Sequence, residues 1–123
     1  MPFRSLSSPV LVWPGKQTVD LAVRAWAEGM LEKKKDVLNI GYFGSYARGD
    51  WGVGSDLDII VILERSDLPV ERRAAEWDTT MLPVPADLLV YTEEEWQAMK
   101  EGGRFCRAVM QEAVWVYEKH PLI

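Results

Sequence analysis

Residues 37–63 read VLNIGYFGSYARGDWGVGSDLDIIVIL. Two apolar runs, Val37 to Phe43 and Leu57 to Leu63, bracket a segment rich in Gly and Asp, so the stretch reads as strand, connection, strand. The second run is made of branched residues that are apolar on both faces, which predicts a central strand. It opens on two acids, Asp56 and Asp58. Side chains two apart on a strand share a face, so these carboxylates point together while Leu57 and Ile59 point the other way. Two ionised carboxylates so placed repel unless one takes a proton or a cation lies between them. All-oxygen ligands favour Mg2+ or Mn2+, and magnesium typically keeps waters while using one or two carboxylates plus substrate phosphates. The pair therefore points to a nucleotide.

The residues just before the pair agree with this. Gly44-Ser45 follows the first strand, and Ser45-Tyr46-Ala47-Arg48 can open a short helix, gathering backbone amides, a hydroxyl and one arginine where an anion would sit. No G-x-x-x-x-G-K-[ST] occurs, and Gly52-x-Gly54 leads into a strand rather than the helix of a dinucleotide fingerprint. A third acid, Asp87, opens a later apolar run, ADLLVYT. If that run pairs with Leu57 to Leu63, Asp87 joins the same face. Three acids around two magnesium ions can align an attacking hydroxyl with a nucleoside triphosphate, and the third acid can receive the hydroxyl proton. The plainer reading makes Gly-Ser a turn, Asp56 strand punctuation and Asp58 the partner of an arginine. Arg48 is either a phosphate contact or a solvent-facing residue. Trp51 either stacks on a base or anchors its loop.

Working outward, Val19, Val23, Trp26 and Met30 recur at helical spacing, predicting a helix over residues 18–35, with Lys33 to Lys35 as its solvated C-terminal end. Leu68 to Trp77 is weakly helical, hemmed by prolines at 69, 83 and 85. Asp87 to Tyr91 forms a third strand. Thr92 and Glu95 form a capping box that starts a helix ending near Gly102-Gly103. A last helix is predicted over residues 104–118, with Phe105, Val109, Ala113 and Val116 on one face and Trp115 and Tyr117 as packing residues. The fold class is α/β of the α+β kind, a mixed sheet of at least three strands flanked by helices.

The chain has 123 residues with 48% hydrophobic and 27% charged residues, enough for one domain over 1–123 with an N-terminal extension at 1–16. A net charge of -5 and no basic block beyond Lys33 to Lys35 argue against direct nucleic-acid binding. The single cysteine, Cys106, lies in an apolar helical pattern and reads as a buried, inert thiol, which suits the cytoplasm. The apolar run Val10 to Trp13 is too short for a signal peptide, and no segment reaches membrane-spanning length, so no membrane partner is expected. His120 stands alone and reads as a surface residue.

Gly44 and Ser45, ten residues, then Asp56, Leu57 and Asp58 give G-S-x(10)-D-x-D, which resembles the signature of the polymerase-beta-type nucleotidyltransferases. With Gly-Ser-Tyr-Ala-Arg-Gly and Ser-Asp-Leu-Asp, the chain is similar to the minimal nucleotidyltransferases that occur as antitoxins beside HEPN toxins. The resemblance implies the polymerase-beta-like fold, Asp56 and Asp58 as metal ligands, Asp87 as the third carboxylate, and Gly44 and Ser45 as holders of the triphosphate with Arg48 assisting. It further implies transfer of AMP from ATP to a hydroxyl, a tyrosine, of a HEPN-type toxin, while the choice between a homo- and a hetero-oligomer stays open. Two alternatives are a transferase acting on a small molecule such as an aminoglycoside, and a catalytically idle antitoxin that inhibits by contact.

Overall fold

The computed structural model describes residues 13–119, so the expectations for His120 and for the segment preceding Trp13 lie outside the described residues. Helix α1 (Lys16–Lys33) leads into strand β1 (Val37–Phe43), a short helix α2 (Ser45–Arg48) and strand β2 (Leu57–Leu63). Helix α3 (Val70–Arg73) runs into a 3-10 turn (Ala74–Glu76), followed by β3 (Ala86–Thr92), α4 (Glu93–Lys100), α5 (Arg104–Glu112) and β4 (Val114–Glu118). The sheet order is β3-β2-β1-β4; β2 and β4 run antiparallel to β1, and β3 runs parallel to β2.

The sheet has a layer on each face, and the alternation of β2 separates them. Ile59, Val61 and Leu63 pack with Val19, Val23, Trp26 and Met30 of α1, whereas Ile60 and Ile62 pack with Trp96 of α4 and Cys106 and Val109 of α5. Ile59, Ile60, Val61 and Ile62 are fully buried. Each such side chain contributes roughly 1.5–3 kcal/mol, so β2 is firmly held and can carry like charges at one end. Asp58 shares parity with Ile60 and Ile62 and therefore lies on the α5 face.

The expected last helix over 104–118 is corrected. It stops at Glu112, Ala113 turns extended (φ -64°, ψ 142°), and Val114 to Glu118 form an edge strand on β1. The residues at fault are the β-branched and aromatic ones, Val114, Trp115, Val116 and Tyr117, which suit a pleated surface once a strand edge is available. Gly41 of β1 makes this pairing possible, because a Cβ there would run into the Trp115 ring. Trp115 and Tyr117 remain packing residues, as expected. The weak helix over 68–77 appears as two short turns. Lys33 and Lys35 are solvated, but Lys34 lies over the Trp77 ring at 4.9 Å and so is more than a free helix end. Cys106 is buried, and burial pushes its thiol up.

Opposite the acids, at the C-terminal end of β3, one buried charge ties three elements together. Arg73 is 5% exposed. It donates to the carbonyls of Leu68 (2.8 Å) and Val90 (3.1 Å) and, as a fork, to both carboxylate oxygens of Glu95 (2.6 and 2.9 Å). The capping box is present: Glu95 N–H donates to Thr92 Oγ1 (3.2 Å) and Thr92 N–H donates to Glu95 Oε1 (2.9 Å). The Arg73 guanidinium holds the Glu95 carboxyl down at about 2, below its ordinary 4.5. A depressed folded value means that the stabilisation is full above pH 4.5 and is lost as pH falls toward 2. The Glu95 side chain is 37% exposed, so solvent screening reduces the cost of breaking the pair. Glu95→Gln is expected to lower unfolding free energy by about 1–2 kcal/mol at neutral pH and to flatten the loss of stability in acid. Urea melts at pH 7 and pH 3 on both proteins measure this; an equal acid loss in the variant would assign it to other carboxylates.

Candidate active site

The C-terminal end of β1, the start of β2 and the start of β3 meet at one end of the sheet. Between them and α5 opens a cleft of about 570 Å³, lined by all six residues singled out above, Gly44, Ser45, Arg48, Asp56, Asp58 and Asp87, together with Phe43, Phe105, Val109 and Glu112.

The acids converge by register. Asp58 is the Cα partner of Asp87 across the parallel β2–β3 pair, so both side chains stand on the same face of the sheet, and Asp56 precedes Asp58 by two residues. Burial raises the Asp58 carboxyl above its ordinary 3.8, and the neighbouring Asp87 and Asp56 charges push it further in the same direction. Among the described residues no side chain or backbone amide makes an ion pair or hydrogen bond to any of the three carboxylates. The plainer reading, in which Asp58 pairs with an arginine, is therefore not what the structure shows. Arg48 turns instead to Asp50 (Nε to Oδ2, 3.1 Å) and Glu112 (Nη1 to Oε2, 3.3 Å).

Gly44 fixes the distance between the two halves of the motif. Its backbone sits at φ 80°, ψ -153°, a conformation that L side chains rarely adopt, and a Cβ would overlap the Asp58 carboxylate. Only glycine lets the β1–α2 corner press against the acid. Beyond it, α2 ends at Gly49 in the left-handed region (φ 90°), and the loop returns to β2 through Gly52–Ser55, where Gly52 N–H donates to Ser55 Oγ (2.8 Å). Trp51 stacks on Tyr46 with ring centroids 5.7 Å apart and planes 8° from parallel, and it packs against the α1-side core. Of its two readings, the structure gives the loop anchor.

Glu112 was not foreseen. As the last residue of α5, its carboxylate accepts from Gly44 N–H at 2.7 Å and from Arg48. The usable signal was the face Phe105, Ala108, Val109, Glu112 at spacing i, i+3, i+4, i+7, which lines the cleft. Extending the helix through 118 hid Glu112 mid-helix, where an acid reads as solvated.

The donor set suits a hard cation. It is all oxygen, none of its carboxylates is in an ion pair among the described residues, and burial disfavours leaving Asp58 ionised. Among the described residues no three His, Cys, Asp or Glu side chains are gathered closely enough to hold an ion by themselves. Among the described residues no helix is long and apolar enough to cross a membrane.

Comparison with known proteins bears on the fold and the family. The chain's fold is similar to that of a Sulfolobus solfataricus protein assigned to the nucleotidyltransferases, with a TM-score of 0.61, 19% identity, and 85% of this chain and 84% of that one covered. A toxin-antitoxin structure with AMP-PNP aligns over 77% of this chain and 73% of that one, with a TM-score of 0.49 and 18% identity. No curated protein matches at a significant level. The family profile described as a nucleotidyltransferase domain matches residues 23–116, a span that runs from α1 through the Gly44-Ser45 corner and all three acids into β4, and the chain belongs to that family.

Proposed function

We propose that this nucleotidyltransferase moves AMP from ATP onto a tyrosine hydroxyl of a HEPN-type toxin and so acts as its antitoxin. The observation that carries the transferase chemistry is that three carboxylates, none in an ion pair among the described residues, line one cleft beside an amide and guanidinium that already hold an anion. The antitoxin role and the toxin partner rest on the resemblance of residues 44–58 to the minimal nucleotidyltransferases. The apolar wall beside the acids supports an aromatic acceptor: Phe43 and Phe105 meet edge to face at 5.6 Å, and Phe105 is 37% exposed.

Each residue then has a task. The Gly44 amide, the Ser45 hydroxyl and Arg48 hold the triphosphate oxygens and fix the α-phosphorus over the acids. Asp56 and Asp58 would hold magnesium, with Asp87 available to a second ion; manganese would suit the same oxygens. When bound, the metal supplies charge neutralisation at the phosphates and at the leaving pyrophosphate. The tyrosine oxygen attacks the α-phosphorus, the bond from that phosphorus to the bridging oxygen of the β-phosphate breaks, and pyrophosphate departs with the electron pair. Asp87 takes the phenolic proton.

Three measurements test this reading. After incubation of the protein with its co-encoded partner, ATP and magnesium or manganese, intact-mass spectrometry is expected to show one AMP added per modified hydroxyl; an unmodified partner beside folded enzyme overturns the assignment. Ser45→Ala is expected to weaken binding of a non-hydrolysable ATP analogue by about 1–3 kcal/mol with an unchanged melting temperature, read by titration calorimetry. Asp58→Asn removes a like charge at nearly constant shape, so without metal it should melt at or above the parent. Because folding raises the parent's Asp58 pKa, protonation favours the folded state, and this residue's contribution is lost as pH climbs through the raised value; the variant should lack that slope. It should also lose most of the stabilisation that magnesium and ATP give the parent. A metal-free Asp58→Asn that melts clearly below the parent would make the aspartate structural.

A further inference from the structure

Glu112 sits where the triphosphate is expected. The Gly44 amide and the Arg48 guanidinium, assigned above to phosphate oxygens, are both taken by its carboxylate. We propose that Glu112 is an internal competitor for the phosphate seat, which the nucleotide must displace, and that it thereby sets nucleotide affinity. This inference rests on the reading of Gly44, Ser45 and Arg48 as the seat.

The contact is built to be left. An acid at the C-terminal end of a helix faces the negative end of the macrodipole. Glu112 also adds to the negative charge around Asp58. Against these two unfavourable terms stand one short hydrogen bond and a long ion pair to a half-exposed arginine. The helix itself need not move. Cys106 and Val109 are buried in the α5-side core and hold it, whereas the Glu112 side chain is 23% exposed and turns about its own torsions. Arg48 keeps its Nε bond to Asp50 when Glu112 departs, so it stays aimed at the seat with Nη1 released for a phosphate oxygen. A triphosphate carries more negative charge than one carboxylate, and with magnesium at the acids it displaces Glu112 without crowding Asp58.

The test is titration calorimetry of the full chain with two probes, magnesium with a non-hydrolysable ATP analogue, and inorganic tripolyphosphate, which has no base or sugar. If Glu112 fills the seat about nine-tenths of the time, apparent affinity is reduced about tenfold. Glu112→Gln is therefore expected to bind both probes about tenfold more tightly than the parent. Glu112→Asp, shorter by one methylene, is expected to do the same, which guards against a Gln variant that folds poorly. In amide NMR spectra, the Gly44 resonance of the probe-free parent should differ from that of Glu112→Gln, and the two should converge at saturating tripolyphosphate. Equal affinities in parent and both variants overturn the proposal while leaving the phosphate seat intact, and weaker binding in the variants makes Glu112 an orienting residue instead. If neither the parent nor the variants bind either probe, the phosphate seat itself is wrong.

Discussion

Asp58 stands opposite Asp87 in a parallel strand pair and is pressed from the other side by the backbone of Gly44. That crowding is the constraint around which the rest is arranged. A parallel pairing of neighbouring acids leaves them repelling through a partly desolvated medium, and the Arg48 charge offsets only part of it. The strand that bears the crowding is the most deeply buried in the sheet, with α1 on one side and α4 and α5 on the other, so its position is fixed by many apolar contacts while its mouth stays open to solvent. Stability is concentrated away from the acids, in the two-sided core and in the Arg73–Glu95 fork at the other end of β3. A site kept under electrostatic tension needs such a remote anchor.

The Gly44–Arg48 corner and the acids are coupled through single residues. Gly44 touches both, since its N–H faces Glu112 and its Cα faces the Asp58 carboxylate. Arg48 faces the anion side and also lowers the Asp58 carboxyl through its charge, though less than Asp87 and Asp56 raise it. Charges of both signs thus meet within one cleft, with Arg48 paired to Asp50 and Glu112 and the three aspartates outside any ion pair among the described residues.

Much of this was legible because local pattern and tertiary role coincide. The branched run Ile59 to Leu63 could only be a central strand, and Thr92 with Glu95 announced a helix start that the structure shows bond for bond. The spacing G-S-x(10)-D-x-D placed four residues, Gly44, Ser45, Asp56 and Asp58, in one cleft, and Asp87 joined them because its strand is the parallel neighbour of β2. What escaped depends on contacts distant in sequence. The stretch Val114 to Glu118 continues the apolar spacing of α5, and only the free edge of β1, with Gly41 leaving space for Trp115, turns it into a strand. Glu112 followed the same error, since its place is defined by where α5 stops. Arg73 gave no signal, because a buried arginine is recognised by the two carbonyls and one carboxylate that fold around it.

The stack of Trp51 on Tyr46 gives the ten-residue interval of the motif a mechanical meaning. Tyr46 is itself fixed, fully buried and donating its hydroxyl to the Pro14 carbonyl at 2.8 Å, so the middle of the connection is bolted to the body of the domain rather than slung between two strands. From Gly44 to Trp51 and from Trp51 to Asp56 the backbone has little slack to redistribute. The interval works as a gauge block: adding or removing a residue on either side would have to shift the aromatic stack or the strand register, and a one-residue register slip turns Asp58 to the opposite face of the sheet.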